Sequence, residues 1–368
     1  MSLIVAEIGT SHDGSLEKAK LLTDKAIEAG ADAVKFQWVY ADEILHPKTG
    51  FVNLPTGKIP LFDRFKSLEC DISFYEEMKN YIHSKNKLFV CSPFGQRSLR
   101  ELISISPDII KIASPELNHS KLLTDLANFR NKSSQKMSVI LSSGVSKLAD
   151  IEKALEILGT EKVSLLHCIT SYPAPEKEYN LKLIENLSSI FGVDCGVSDH
   201  SLDPVLVPVL SISCGSKIIE KHITLSKKTK GLDDPVALTP EEFAAMVHAV
   251  HQSETVLRHY GASLGKEQII NQMADEYGKE MVSQVLGTGI KKLAPSEKDN
   301  YSRTNRSLHY LTDLKKGTCI GLNDIAILRT EKELSVGESP FVLDSLLGKK
   351  LSKDVLAGSG VLFSDFMN

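Results

Sequence analysis

Two histidines and two lysines stand at or near the ends of short apolar runs of the sequence. His200 ends "CGVSDH", His222 ends "IIEKH", and Lys35 and Lys111 lie within "AVKFQ" and "IIKIA". Neutral imidazole nitrogens bind divalent metal ions, and an ammonium group withdrawn from water needs an anionic partner. These residue types therefore predict a divalent metal ion beside an anion, provided that the fold brings the ends of the runs together.

Hydroxyl and carboxylate side chains occur at the same positions. The hydroxyls belong to Ser92, Ser114, Ser142, Ser143, Thr170 and Ser198. They would give a bound phosphate or carboxylate hydrogen-bond donors without adding charge. Glu7 and Glu116 are candidate general acids or bases, because a carboxylate in such a place can move a proton.

Each of these interpretations has a structural alternative. Either histidine could instead satisfy a buried carbonyl group, but both have an acidic neighbour, Asp199 or Glu220, and that favours a shared metal ion. Either lysine could pair with Glu7 or Glu116 in a structural network. Either glutamate could in turn do no more than hold a lysine in place.

Eight apolar runs rich in Ile, Val and Leu alternate with helical patterns and set the fold. The runs cover residues 3–7, 33–37, 88–92, 109–112, 139–142, 163–167, 195–198 and 217–222. Continuous hydrophobicity indicates parallel strands buried on both faces, and Ser15, Ser73 and Thr239 are the predicted starts of three of the helices. Eight alternations over roughly 250 residues are typical of an α/β fold of the (β/α)8 TIM-barrel type, whose active face lies at the carboxyl ends of the strands. A doubly wound sheet is disfavoured because no G-x-G-x-x-G follows the first run.

The composition changes near residue 285 and predicts a second domain. The stretch "VLGTGIKKLAPSEKDNYSR" is rich in Gly, Pro, Ser and Lys, which is typical of a linker. We expect a barrel over residues 1–285, a linker over 286–304 and a small β-rich domain over 305–368.

Overall composition narrows the partners. The chain has 368 residues and a formal net charge of -4, without a long run of Lys or Arg, so nucleic acid is not expected as a partner. No stretch of about 18 apolar residues and no signal peptide is found, and the six cysteines lack C-x-x-C spacing. We expect a cytoplasmic protein with reduced cysteines and no membrane partner.

Seven motifs in order resemble one known family. They are "AEIGTSHDGSLEKAKLLTDKAIEAGADAVKFQ", "CSPF", "IKIASPE", "ILSSG", "LLHCITSYP", "VSDHS" and "IIEKHITL". Together they are similar to the sialic acid synthases, which condense phosphoenolpyruvate with an N-acetylated sugar such as N-acetylmannosamine. The tail from Asn305 resembles the small antifreeze-like SAF domain that follows the barrel in these enzymes.

The resemblance implies a role for each candidate residue. His200 and His222 would bind Mn²⁺ or Mg²⁺. Phosphoenolpyruvate would be held by Lys111, Ser92, Ser114, Ser142, Thr170 and Ser198. Glu7, Gln37 and Asp233 would hold the acceptor sugar, and Lys35 and Tyr172 are further substrate-binding candidates. Glu116 would position or deprotonate the attacking water, so Glu7, Glu116 and Lys111 are the expected catalytic residues. Arg329 would reach over the sugar of a partner subunit in a domain-swapped homodimer.

The sequence departs from the family pattern near the acceptor. Ser11 in "SHDG" and Asp234 in "GLDDP" replace the usual Asn and His, Thr170 stands where Ser or Asn is common, and no proline follows Arg329. The product could therefore be a legionaminate, a pseudaminate or another nonulosonate. Two rival functions stay open: a phosphoenolpyruvate-dependent synthase that uses a phosphorylated sugar, and a non-catalytic sugar-binding homologue.

Overall fold

The computed structural model describes residues 1–54, 57–133, 136–228 and 231–367. Its first ten strands are β1 Leu3–Gly9, β2 Ala33–Trp38, β3 Phe51–Leu54, β4 Gly57–Pro60, β5 Leu88–Pro93, β6 Ile109–Ile112, β7 Ser138–Ser142, β8 Val163–Cys168, β9 Asp194–Asp199 and β10 Ile218–His222. Eight of them close a parallel barrel in the order β1, β10, β9, β8, β7, β6, β5, β2. The predicted TIM barrel is confirmed, and its strands contain the eight apolar runs to within one residue at the ends. The antiparallel hairpin of β3 and β4 was not predicted.

Helices lie between the strands and cover the barrel. Their bounds are α1 Leu16–Glu28, α2 Ala41–Ile44, α3 Leu61–Lys66, α4 Ile72–Ser84, α5 Gln96–Ser104, α6 Ser120–Lys132, α7 Leu148–Leu158, α8 Leu183–Phe191, α9 Leu206–Ser213, α10 Pro240–Tyr277, α11 Lys279–Leu286 and α12 Leu343–Leu346. Gly261, with φ 77°, interrupts α10. Within the described ranges, no helix is both long enough and apolar enough to cross a membrane.

The helix starts follow the capping rules, with one correction. Ser15 accepts a hydrogen bond from the Lys18 N–H at the start of α1, and Thr239 caps α10 with Pro240 as its first residue. The prediction of Ser73 as a cap is wrong, because α4 begins at Ile72 and the carboxylate of Asp71 accepts from the Phe74 N–H. Asp71, two residues before Ser73, offers a charged acceptor and binds the free N–H group in the first turn of the helix.

Side chains fill the barrel interior in layers. The first is an apolar cluster of Val5, Ala33, Val90, Ile109, Ile140, Leu166 and Ile218. Two residues further along the same strands, and on the same side of each strand, lie Glu7, Lys35, Ser92, Lys111, Ser142, Cys168 and Glu220. With Ser198 of β9 these residues form what we call the polar layer, and each is at most 4% exposed. The alternation of each strand therefore places its polar residues above an apolar floor.

The second domain has a small core of its own. Strands β11 Arg306–Tyr310 and β12 Ile325–Arg329 pair antiparallel. They pack with α12 around Leu308, Tyr310, Leu346 and Val361, among other buried residues. The domain lies over the barrel mouth, where Leu45 of the barrel forms a bridge with Arg329. The fold therefore brings one end of β12 to the active face.

Candidate active site

The two lysines of the polar layer are paired with carboxylates. Lys35 Nζ lies 2.7 Å from Glu7 Oε1 and 3.6 Å from Glu220 Oε1. Lys111 Nζ lies 3.1 Å from the same Glu220 oxygen, which also accepts a 3.0 Å hydrogen bond from Ser198 Oγ. The pairing named in the structural alternative is thus present between Lys35 and Glu7. For Lys111, the partner is Glu220 rather than Glu7 or Glu116.

Burial and neighbouring charges set the protonation of this cluster. Burial alone would raise the pKa of Glu220, but Lys111 and Lys35 outweigh it and lower the pKa to about 2. Burial lowers the pKa of Lys111 in spite of Glu220, and Lys35 adds to the effect. Burial also opposes the charge on Lys35, yet Glu220 and Glu7 raise its pKa. Glu220 is therefore ionised, and the two cations and two carboxylates balance.

Three buried hydroxyl groups, two in the polar layer and one on the loop after β8, lack a hydrogen-bond partner in the described chain. Among the described residues, Ser92 Oγ, Ser142 Oγ and Thr170 Oγ1 have no hydrogen-bond partner in the protein. A buried polar group without a partner costs free energy. We call these three hydroxyls together with Lys111 the anion cradle, because the donors and the cation suit a phosphate or carboxylate.

The other predicted hydroxyls are engaged within the protein. Ser198 donates to Glu220, Ser114 Oγ accepts from the Gly144 N–H at 3.0 Å, and Ser143 Oγ donates to the Leu166 carbonyl at 3.1 Å. Gly144 has no room for a side chain, because a Cβ atom there would lie 2.1 Å from Thr170 Oγ1. The loop after β7 therefore passes directly against the cradle.

The two predicted metal ligands converge at the carboxyl ends of β9 and β10. The rings of His200 and His222 are 5.5 Å apart between centroids. His200 Nδ1 is 2.7 Å from the Ile169 carbonyl oxygen, which can only accept, so Nδ1 carries a hydrogen. Burial opposes a charge on His200, yet Cys168 and the Ile169 carbonyl raise its pKa to about 8. Burial lowers the pKa of His222 well below its ordinary value, with His200 and Lys35 adding to the effect. His222 thus presents a neutral ring, whereas His200 would release a proton on binding a metal ion.

The acidic neighbours do not support the histidines in the expected way. Asp199 pairs with Lys221, whose Nζ lies 2.6 Å from its Oδ2, and Glu220 pairs with the lysines. Among the residues described, no group of three or more His, Cys, Asp or Glu side chains is arranged to hold a metal ion. An ion held by the two histidines would have to take its remaining ligands from substrate and water, as Mg²⁺ ions often do.

A cavity above the histidines collects most of the remaining candidates. It encloses about 160 Å³ and is lined by Gln37, Thr170, Tyr172, Asp233 and Arg329, with apolar residues that include Phe94 and Leu232. The Tyr172 ring stacks on His200 at 4.2 Å, and Gln37 Nε2 donates to Glu7 Oε1 at 2.7 Å. Burial and Glu7 raise the pKa of Asp233 to about 6. The cavity thus joins the small domain to the polar layer.

Glu116 is held by two arginines of the small domain and not by a lysine. Its Oε1 lies 3.0 Å from Arg306 Nη2 and 2.7 Å from Arg329 Nη2, while its Oε2 has no partner among the described residues. Arg306 is buried and also donates to the carbonyl oxygens of Glu43 and Phe94. In this structure Arg329 therefore contacts its own barrel, whereas the sequence interpretation assigned it to a partner subunit.

Ser11 and Asp234, two of the departures from the family pattern, lie in contact with each other. Ser11 Oγ donates to Asp234 Oδ1 at 2.6 Å, and the Gly231 N–H donates to Asp234 Oδ2 at 2.8 Å. Asp234 is fully buried. These two departures are thus one paired feature next to Asp233 on the acceptor side.

Comparison with known proteins identifies the family. The NeuB family model matches residues 22–261, and the SAF domain model matches residues 305–367. The spore coat polysaccharide biosynthesis protein SpsE of Bacillus subtilis is 30% identical over 99% of this chain and 93% of its own length. Its crystal structure superposes with a TM-score of 0.78, covering 100% of this chain and 95% of that one at 28% identity.

Two further relatives are named as synthases. The N,N'-diacetyllegionaminic acid synthase of Legionella pneumophila is 29% identical over 98% of this chain and 93% of its own length. The pseudaminic acid synthase of Campylobacter jejuni strain 81-176 is 30% identical over 99% of this chain and 96% of its own. These matches confirm the resemblance given by the seven motifs and the tail. The chain belongs to the NeuB family and carries a C-terminal SAF domain.

Proposed function

We propose that the protein condenses phosphoenolpyruvate with an N-acetylated hexose to give a nonulosonic acid and phosphate. The observation that carries the proposal is the anion cradle, whose Ser92, Ser142 and Thr170 hydroxyls are buried and have no partner among the described residues. The names of the relatives, which are synthases of legionaminic and pseudaminic acid, support the same reaction.

The polar layer fixes the phosphoenolpyruvate. Lys111 and the cradle hydroxyls bind its phosphate and carboxylate. Because the two lysines balance the charge of the two glutamates, the glutamates do not repel this anion strongly. The enol carbon then attacks the sugar aldehyde, and water adds to the resulting cationic carbon. Loss of phosphate by cleavage of the C–O bond leaves the 2-keto acid. Fixing both reactants in one mouth supplies the proximity that a bond between two molecules requires.

His200 and His222 are the proposed ligands of a Mn²⁺ or Mg²⁺ ion. Such an ion, when bound, polarises the aldehyde oxygen of the acceptor. The Ile169 carbonyl orients His200 by accepting from its Nδ1, 2.7 Å away, and Tyr172 stacks on the same ring. Both contacts keep the Nε2 atom aimed at one place, which is the usual task of groups behind a ligand.

The cavity favours an uncharged, N-acetylated acceptor. Among its described lining residues, Arg329 is the only cation, while Phe65, Leu68, Phe94 and Leu232 offer an apolar surface that suits the methyl group of an acetamide. A phosphorylated sugar would call for a second basic cluster. Gln37 and Asp233 provide the polar contacts for the sugar hydroxyls.

Glu116 and Glu7 are the proposed acid and base groups. Glu116 keeps one oxygen, Oε2, free of partners in the described chain, so this oxygen can take a proton from the attacking water. Glu7 likewise keeps Oε2 free and faces the acceptor side through Gln37. The two arginines on Glu116 hold it in place while that step occurs.

The experiment is an acceptor panel. The protein is incubated with phosphoenolpyruvate, Mn²⁺ and N-acetylated hexoses, and both phosphate and a nine-carbon acid are measured, the acid by mass spectrometry. We expect acceptor-dependent phosphate release that a chelator abolishes. Turnover with arabinose 5-phosphate alone would favour the rival synthase, and sugar binding without any turnover would favour the non-catalytic homologue.

A homodimer with exchanged small domains also remains a proposal. In this structure Arg329 reaches Glu116 of its own chain, and exchange would form the same contact between two chains. A mixture of Glu116→Ala and Arg329→Ala proteins distinguishes the two arrangements. Recovered turnover in the mixture would show exchange, and continued inactivity would show that the contact stays within one chain.

A further inference from the structure

The segment between the two domains is packed against the barrel mouth. Lys291 Nζ donates to the Ser143 carbonyl oxygen at 2.8 Å, and Asn300 Nδ2 donates to the Thr170 carbonyl oxygen at 3.1 Å. Both acceptors lie in the loops that follow β7 and β8. The composition of this segment predicted a linker, but its side chains bind the backbone of the active face.

Glu297 makes the most extensive of these contacts. It lies in the short 3₁₀ turn Pro295–Glu297 and is 1% exposed. Its Oε1 accepts from the Val145 N–H at 2.7 Å and from the Thr170 N–H at 2.8 Å. Its Oε2 accepts from the Ala294 N–H at 3.1 Å. A buried carboxylate thus joins the β7 and β8 loops through two charge-assisted hydrogen bonds.

Val145 adds a second and independent observation. Its φ is +41°, a conformation that a β-branched residue adopts only when its surroundings impose it. The Val145 N–H is bound by Glu297, and its carbonyl oxygen accepts from Asn305 Nδ2 at 2.9 Å. The chain beyond the barrel therefore holds both polar groups of this strained residue.

One of the two loops carries a cradle hydroxyl, that of Thr170, and the other begins directly after a second one, that of Ser142 at the end of β7. Ser142 lies three residues before Val145, and Thr170 donates its own N–H to Glu297 while its hydroxyl has no partner among the described residues. Gly144, between Ser142 and Val145, is packed against Thr170 Oγ1 and Ser114 Oγ. Any shift of Val145 or Thr170 would therefore move cradle hydroxyls.

We propose that Glu297 is a positioning residue for the anion cradle: it fixes the β7 and β8 loops so that the Ser142 and Thr170 hydroxyls converge on one anion. The anion is phosphoenolpyruvate if the proposed function is right, and this part of the inference rests on that function. Glu297 itself touches no substrate and acts only through the two loops.

The charge of Glu297 and its positioning role predict opposite effects of a neutral variant on anion binding. Glu297→Gln removes a negative charge from beside an anion site, and by Coulomb's law alone this change would strengthen anion binding. The Gln side chain, however, cannot accept with both of its heteroatoms, so at least one of the three N–H groups loses its acceptor. Positioning therefore predicts weaker anion binding. Asp299→Asn makes the same chemical change two residues away on an exposed side chain and is the matched control.

The experiment measures the KM of phosphoenolpyruvate, the KM of the sugar and the melting temperature for the wild type and both variants. We expect Glu297→Gln to raise the KM of phosphoenolpyruvate about 10-fold or more. Removal of the groups that orient the ligands of a metal site has effects of this size. The KM of the sugar should change less than about 2-fold, and Asp299→Asn should match the wild type. Hydrogen exchange should also become faster at the Val145 and Thr170 amides.

An unchanged or lower KM for phosphoenolpyruvate in Glu297→Gln would overturn the proposal. Equal rises in the KM of phosphoenolpyruvate and of the sugar, together with a lower melting temperature, would also overturn it, because they mark a merely structural role. If the wild type turns over no sugar, the proposed function fails separately. The inference is then decided by titration with inorganic phosphate and by hydrogen exchange. Weaker phosphate binding with faster exchange in Glu297→Gln would support it, and wild-type values in either measurement would overturn it.

Discussion

Replacing Glu220 by Gln tests the charge network beneath the proposed site. Glu220 Oε1 lies 3.1 Å from Lys111 Nζ and 3.6 Å from Lys35 Nζ. The side chain is 5% exposed. The amide oxygen of Gln can still accept from Ser198 Oγ, so the change removes the charge while keeping the shape and that hydrogen bond. Lys111 is then left buried without a carboxylate partner.

The contacts give the expected magnitude. Two unit charges 3.1 Å apart attract by about 5 kcal/mol at an effective dielectric constant of about 20. Removing one partner of a buried ion pair costs about 3–5 kcal/mol in measured cases. We therefore expect Glu220→Gln to lower the free energy of unfolding by about 3–5 kcal/mol, which is roughly 6–20 °C in melting temperature for a domain of this size.

A double-mutant cycle shows whether the loss comes from the stranded lysine. Lys111→Met in the Glu220→Gln background removes the uncompensated ammonium, so the double variant should lose about 2 kcal/mol less than the sum of the single variants. Glu77→Gln is the surface control, since its partner Lys20 lies 2.6 Å away with both side chains partly exposed, and such pairs contribute under about 1 kcal/mol. Calorimetric melting of the five proteins is the assay. Additive losses, or a loss below about 1 kcal/mol for Glu220→Gln, would refute the reasoning.

Three other outcomes follow from the same geometry. The pKa of Glu220 is lowered from an ordinary value of 4.5 to about 2, so its stabilising contribution is complete above about pH 4.5 and is lost as the pH falls toward 2. The difference in melting temperature between the wild type and Glu220→Gln should therefore shrink over that window. A constant difference would contradict the assignment. The lysine in Arg306→Lys cannot replace the hydrogen bonds to Glu116 and to two backbone carbonyls, so the free energy of unfolding should fall by about 3 kcal/mol or more and the two domains should melt separately. A single unchanged transition would show that Arg306 does not hold the small domain on the barrel. His222→Ala should abolish Mn²⁺-dependent turnover and weaken Mn²⁺ binding, measured by titration calorimetry, while the circular dichroism spectrum stays unchanged. Retained turnover would remove His222 from the proposed metal site.

The barrel was predictable because its signals are local. Each strand carries its own apolar run, and the period of two along a strand sets Glu7 above Val5, Lys35 above Ala33 and Glu220 above Ile218. The start of α10 was also predictable, since Thr239, Pro240 and Glu242 are neighbours in the sequence. Ser73 was the wrong cap because Asp71, equally close, supplies a charged acceptor.

The partners across the mouth were not predictable, because they join residues far apart in the chain. Glu220 lies within a strand that the sequence predicts, but its contact with Lys111 spans 109 positions. The contact of Arg306 with Glu116 spans 190 positions, and that of Glu297 with Val145 spans 152. Arg306 and Glu297 stand outside any motif of the barrel, and the composition around Glu297 is that of a spacer. Only the closed barrel with its docked small domain brings these groups together.

The central claim is that the polar layer holds phosphoenolpyruvate so that water adds to its second carbon and the C–O bond breaks. Phosphoenolpyruvate labelled with ¹⁸O in the bridging oxygen, incubated with Mn²⁺ and the best N-acetylated acceptor, tests it most directly. We predict that the label appears in the released phosphate, as mass spectrometry would show. Label retained in the sugar acid, or no phosphate released with any acceptor, would contradict the account.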